Sequence, residues 1–211
     1  MHLYKNRFDV GNKLAAKLKK YRTNAVVVVA IPRGGLQVGR AIADALQVPL
    51  DCIFSKKIPL PFEEEVAIGA VTINCEVFNE TAITMYQVDH RYVASKAVEL
   101  RKKIKQLDSE YHENFTPVPL AGKTVILVDD GIATGETIEA AVLELKWKKV
   151  GKIIVAVPVA PPEFLKKLEK KVDGIVCLST PEFFMAIGQF YESFPQLTHE
   201  EAKKLLKAER M

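Results

Sequence analysis

The sequence predicts an α/β protein, an open and mostly parallel twisted sheet with helices on both faces. Three runs predict it. Ala25–Ile31, Thr124–Val128 and Ile153–Val157 are stretches of apolar and β-branched residues without polar alternation, the pattern of strands buried on both faces. Each run ends in a turn containing glycine or proline and is followed by apolar residues at helical spacing, so a strand, loop, helix plan recurs along the chain. In such sheets ligands bind at the carboxyl edge, near a topological switch.

The 211 residues suffice for one sizeable core, so a single domain over residues 1–211 is expected. With 48% hydrophobic and 27% charged residues the chain is neither disordered nor membrane-like, and no apolar run approaches a transmembrane span. The N-terminus lacks a hydrophobic region followed by a small-residue cleavage site, from which a cytoplasmic location is expected. Cys52, Cys75 and Cys177 are far apart in apolar surroundings, which suits reduced core residues rather than a zinc site, and no metal ligand is assigned. A net charge of +4 is mild, so lysine-rich faces such as Lys17, Lys19 and Lys20 read as solvated surface.

In chain order, Leu14, Leu18 and Tyr21 form a helical stripe after Arg7, Phe8 and Asp9. The strand Ala25–Ile31 ends in Pro32, Arg33, Gly34 and Gly35, before a helix carrying Leu36, Ile42, Ala43 and Leu46. Two glycines allow a tight turn with N–H groups pointing inward, and Arg33 supplies a charge suited to bidentate phosphate contact. Leu50–Phe54 reads as a short strand running into Ser55, Lys56 and Lys57, then a Pro-rich acidic segment, Pro59–Glu65. Residues 67–78 suggest strand, tight turn and strand, and Arg91–Leu107 a packing helix. A connector, Tyr111–Leu120, leads to the strand at Thr124–Val128. After Ile153–Val157 come a helix holding Phe164, Leu165 and Leu168, a last apolar run Ile175–Leu178, and an aromatic cluster that includes Phe183, Phe184, Phe190, Tyr191 and Phe194. Thr198 and Glu201 form a capping box for a final, structural helix through Leu205 and Leu206.

The chain is organised around Val125–Thr137, which reads VILVDDGIATGET. A helix begins where Ile138, Ala141, Val142 and Leu145 recur at helical spacing, so the loop delivers its N–H groups to a helix N-terminus with positive partial charge. An anion belongs there. Gly131 and Gly135 permit close approach of a ligand, and Thr134 and Thr137 offer hydroxyl donors. Asp129 and Asp130 would repel a phosphate, and paired carboxylates beside a phosphate nest suit the vicinal hydroxyls of a sugar.

These thirteen residues resemble the phosphoribosyl diphosphate (PRPP) motif of type I phosphoribosyltransferases, a highly specific pattern matched almost throughout. The resemblance implies that family's fold, with a small hood over about residues 179–211. It implies that Asp129 and Asp130 hold the ribose 2′- and 3′-hydroxyls, while Gly131, Ile132, Ala133, Thr134, Gly135, Glu136 and Thr137 wrap the 5′-phosphate. The Pro32–Gly35 turn resembles the pyrophosphate loop, and a lid over about residues 55–67 would bring Lys56 or Lys57 to the diphosphate while excluding water. The implied activity is Mg²⁺-dependent transfer of a 5-phosphoribosyl group from PRPP to a nitrogenous acceptor, in nucleotide salvage, with Mg²⁺ carried mainly by PRPP oxygens. Arg33, Lys56 and Lys57 are the catalytic candidates, acting by anion stabilisation.

The acceptor is narrowed only by exclusion. Enzymes for 6-oxopurines commonly carry an aspartate where this loop has Ala133, and adenine-type enzymes place a glutamate before a Tyr-Gly pair where this chain has Ala67 before Ile68 and Gly69. The pattern looks most like a poorly assigned branch of the family. Phe184 or Tyr191 are the aromatics available to stack on a base, and a homodimer stays open. The alternative is a PRPP-binding regulator of the same fold that contacts RNA or DNA. The mild charge, and the lack of a helix-turn-helix or single-strand-binding motif, argue against it.

Overall fold

The computed structural model describes residues 3–22, 25–64, 66–113 and 115–207. Met1, Glu65, Asn114 and residues 208–211, which fall within the predicted N-terminal, lid, connector and hood segments, lie outside them. In chain order the elements are α1 (Arg7–Leu18), β1 (Val26–Ala30), α2 (Gly34–Leu46), β2 (Leu50–Cys52), β3 (Lys56–Pro59), β4 (Ala67–Val71), β5 (Glu76–Phe78), α3 (Glu80–Met85), α4 (His90–Tyr111), β6 (Thr124–Val128), α5 (Glu136–Trp147), β7 (Lys152–Val159), α6 (Pro162–Leu168), β8 (Gly174–Ser179) and α7 (His199–Lys207). No helix among the described residues is long and apolar enough to cross a membrane.

Five parallel strands in the order β2-β1-β6-β7-β8 form the main sheet. Alternation along each strand explains the unbroken apolar runs. Val28, Ala30, Ile126 and Ile154 enter one core with Leu14 of α1 and Ile42 of α2, while Val27, Val29, Leu127 and Val155 enter a second with Ile138 and Leu145 of α5 and Phe164 of α6. Truncating a fully buried residue such as Ile126 to alanine is expected to remove about 2–5 kcal/mol. From β1 the chain moves outward to β2, then returns on the other side of β1 as β6, so the switch point lies between β1 and β6.

A separate antiparallel sheet, β3-β4-β5, packs against α4 and against α5. The hairpin predicted at 67–78 is its β4–β5 pair. The lid predicted over about 55–67 differs from a plain loop, because its first part is strand β3, paired with β4. The reason is apolar content: Ile58, Leu60 and Ile68 are buried, whereas Lys57 is exposed. Glu144 of α5 fastens this sheet by accepting hydrogen bonds from the Thr72 hydroxyl (2.8 Å), the Asn74 N–H (2.9 Å) and the Asn74 side-chain amide (2.6 Å).

The C-terminal segment after β8 folds back on the N-terminus. The N–H groups of Leu3 and Tyr4 donate to the Phe190 carbonyl at 3.0 Å, and Glu192 N–H donates to Tyr4 O at 2.9 Å. The capping box at α7 is present: Glu201 N–H donates to Thr198 Oγ1 (3.2 Å), and Thr198 N–H to the Glu201 carboxylate (2.8 Å).

Candidate functional site

The loops after β1 and β6 meet at the switch point, and glycine is what lets them meet. A Cβ at Gly34 would lie 1.8 Å from Asp130 Oδ2, and one at Gly35 3.0 Å from the Val128 carbonyl. α2 begins at Gly34 and α5 at Glu136, so each loop leads directly into a helix whose first N–H groups lack intrahelical partners. The Pro32–Arg33 peptide is cis.

The two aspartates occupy different environments. Asp130 is buried, and its Oδ2 accepts a hydrogen bond from Arg7 Nε at 2.7 Å in an ion pair. Arg7 also donates to the Pro195 carbonyl (2.8 Å) and lies 3.7 Å above the Phe194 ring, so one guanidinium joins α1, the acidic loop and the hood. The hood adds Tyr191, whose hydroxyl donates to the Asp130 carbonyl at 2.7 Å. Asp129 carries one hydrogen bond among the described residues, from the Asp130 N–H at 2.8 Å. Burial raises both carboxyl pKa values; the Asp130 charge raises Asp129 further, while Arg7 works against the rise at Asp130.

Beyond the acid pair the β6–α5 loop encloses a cavity of about 80 Å³, lined by Lys57, Asp129 and residues 131–135 among others. Gly135 has φ +96, and a Cβ there would lie 2.0 Å from Phe164, so the turn requires glycine. Thr134, Thr137 and Ala133 line the cavity. Ile132 buries its side chain in the core and donates its N–H to the Val159 carbonyl at 2.9 Å, which anchors the loop. Glu136 opens α5, where an acidic side chain suits the helix dipole; its Oε2 is buried with no hydrogen-bond partner among the described residues.

Strand alternation separates the two lysines. Lys57 Nζ reaches Thr134 Oγ1 at 3.3 Å, on the β6–α5 loop. Lys56 instead lines a cavity of about 190 Å³ with Pro32, Arg33, Ser55 and His199. Burial and the charges of Lys103 and Arg33 lower its pKa. Pro32, Arg33, Gly34, Gly35, Lys56, Lys57 and the 129–137 loop thus all stand at one end of the sheet. Of the aromatics considered for stacking, Tyr191 is buried among Tyr4 and Phe194, and Phe184 packs on Phe190.

Arg7 and Asp51 carry no motif in the sequence that marks them. Arg7 shares the buried face of α1 with Val10, Leu14 and Leu18, so an arginine in phase with an apolar stripe was the available signal. The Asp51 carboxylate accepts from Cys52 N–H (2.7 Å), Val118 N–H (2.7 Å) and His112 Nε2 (2.9 Å). His112 Nδ1 bonds the Asp108 carbonyl at 2.9 Å. Burial alone would lower the His112 pKa, but hydrogen bonds to Asp108 and Asp51 outweigh it and hold the group up at about 12. Asp51, Cys52 and His112 have spacing that could hold a metal ion. With three donors already on its carboxylate, Asp51 instead acts as a clasp that ties the end of α4 and the following connector to β2. The three cysteines are free, Cys52 buried and the others half-buried.

An open parallel sheet with two glycine-bearing loops over an acid pair at its switch point is the plan of an α/β ligand-binding protein. The comparisons with known proteins are specific. The family model of the phosphoribosyl transferase domain matches residues 2–194. Two Mycobacterium tuberculosis proteins, described as candidate phosphoribosyl transferases, are 35% identical over 210 residues, 98% of this chain and 47% of theirs. The chain therefore spans about half the length of these curated relatives. A Thermus thermophilus protein of known crystal structure superposes with a TM-score of 0.80 at 32% identity, covering 98% of both chains. A Neisseria gonorrhoeae protein, solved with bound ppGpp, shares the fold at a TM-score of 0.51 and 17% identity over 98% of this chain and 95% of that one. The chain belongs to the phosphoribosyl transferase family, and its fold is that of the type I enzymes.

Proposed function

We propose that this protein transfers the 5-phosphoribosyl group of PRPP to a nitrogenous acceptor, a nucleobase, and releases diphosphate. The observation that supports it most is the contact of Gly34 with Asp130, which sets two anion-binding loops around one acid pair. In this reading the β6–α5 loop and Lys57 hold the 5′-phosphate. Asp129 and the Asp130 oxygen that does not bond Arg7 accept hydrogen bonds from the ribose hydroxyls. Arg7 orients Asp130 and favours its charged form against the effect of burial. Arg33, Lys56 and the N–H groups of Gly34 and Gly35 receive the diphosphate as its negative charge develops, and the packed β3–β5 sheet excludes water from the sugar. A Mg²⁺ ion fits the hard oxygen donors here; Asp129, with one protein hydrogen bond among the described residues, is the carboxylate that would face it, and the ion would neutralise diphosphate charge.

The test is diphosphate release from PRPP and Mg²⁺ across a panel of purines, pyrimidines and other nitrogen acceptors. Release with one acceptor, lost in the Asp129→Asn/Asp130→Asn double variant, is the expected result. Unchanged turnover in that variant would remove the assignment, and PRPP binding without release for any acceptor would favour the regulatory reading.

A further inference from the structure

The cavity beside the Pro32–Gly35 turn has a wall that belongs to neither loop. α7 packs on α2 and β2 and carries His199 to the same cavity as Arg33 and Lys56. His199 Nδ1 lies 2.9 Å from the hydroxyl of Tyr111, at the end of α4. Tyr111 is fully buried, its ring edge-on to Phe54 at 4.9 Å between centroids, so its hydroxyl is held in place. When that hydroxyl donates to Nδ1, the neutral imidazole must carry its proton on Nε2, which makes it a donor.

Pro32, Phe54 and Leu107 give the rest of the wall its apolar part, and Arg33, Ser55 and Lys56 its polar part. Arg33 and Lys56 bring positive charge, and Ser55 Oγ is buried with no hydrogen-bond partner among the described residues. Among the described residues no carboxylate lines this cavity. Its volume of about 190 Å³ exceeds the roughly 30 Å³ share of one liquid water several-fold. Two cationic side chains and a free hydroxyl, with no carboxylate among the described residues, suit a polyanion in such a space.

We propose that His199, oriented by Tyr111, contacts the diphosphate, its Nε2–H donating to a phosphate oxygen beside Arg33 and Lys56. The inference rests on the phosphoribosyl-transfer reading and adds to it a residue from the C-terminal helix. The charged groups around the ring are Arg33 from the loop before α2, Lys56 from β3, Glu110 from α4 and Lys203 from α7. Burial and the charges of Arg33 and Lys56 lower the His199 pKa, so the ring is neutral at pH 7 without ligand. A diphosphate reverses that field and draws a proton from solvent onto the imidazole.

The experiment is calorimetric titration of magnesium diphosphate at pH 7, in two buffers of different ionisation enthalpy, into wild type, His199→Gln and Tyr111→Phe. Ribose 5-phosphate and PRPP are titrated alongside. His199→Gln is expected to weaken diphosphate roughly tenfold, as for loss of one charge-assisted hydrogen bond, and to abolish the extra proton uptake seen in wild type. Tyr111→Phe keeps the ring packing and is expected to weaken diphosphate by a smaller factor. Ribose 5-phosphate, which tests the β6–α5 loop separately, is expected to bind both variants within twofold of wild type. Equal diphosphate affinity and equal proton uptake in wild type and His199→Gln would overturn the inference while leaving PRPP binding intact. An equal loss of ribose 5-phosphate affinity would also overturn it, by showing a merely structural role. Wild type that binds neither diphosphate nor PRPP would remove the underlying reading as well.

Discussion

At the residue scale the two aspartates that look equivalent in the sequence are not. Asp130 is tied to Arg7 at 2.7 Å, whereas Asp129 keeps one hydrogen bond among the described residues. Breaking a buried ion pair by removing one partner typically destabilises a protein by about 3–5 kcal/mol. Arg7→Ala is therefore expected to lower stability by about 3 kcal/mol in urea unfolding and to raise the KM for PRPP; a change below about 1 kcal/mol would show that Arg7 does not anchor the acid. The His112 clasp predicts a pH effect. Its folded pKa, about 12, lies above the unfolded value of about 6.5, so its stabilisation is complete below that value and is lost as pH rises toward 12. Between pH 7 and 8.5 this one group lowers stability by up to about 1.4 kcal/mol per pH unit, and His112→Gln is expected to flatten that slope in denaturant titrations. What was legible at this scale is placement: the glycines, threonines and acids of residues 129–137, singled out by type and spacing, do form one loop leading from β6 into α5. Arg7 and His199 were not legible, because their partners are 123 and 88 residues away in the chain.

At the element scale the β3–β5 sheet determines which lysine stands beside which loop. The sequence pattern puts Lys56 and Lys57 in a loop, where either could reach the diphosphate; pairing of β3 with β4 sends them to different cavities. Period-2 geometry could have separated them, but the short run at Lys56–Pro59 holds two lysines and a proline and gives little strand signal. Lys56→Ala is expected to weaken magnesium diphosphate about tenfold with little effect on ribose 5-phosphate, and Lys57→Ala to do the reverse. Calorimetric affinities would show this crossed pattern, and equal losses on both ligands would contradict the separation. Glu144 is the fastening of the same sheet. Glu144→Gln removes the charge from three hydrogen bonds to Thr72 and Asn74, so faster amide exchange in β4 and β5, with β1 and β6 unchanged, is the expected outcome.

At the scale of the whole molecule, the five-stranded parallel sheet was readable from its continuous apolar strands, since burial on both faces leaves no polar alternation. The strand order was not, because nothing local says that the chain returns across β1 to form β6. That return creates the switch point, and with it the contact between a turn at Gly34 and an acid at Asp130. The proposed function places PRPP at the loop after β6. Its most direct test is titration of PRPP with Mg²⁺ into wild type, Thr134→Val on that loop, and Trp147→Ala on the exposed end of α5. Saturable binding to wild type is expected, with a loss of roughly tenfold in Thr134→Val and none in Trp147→Ala. No binding to wild type, or equal affinity in all three proteins, would contradict it.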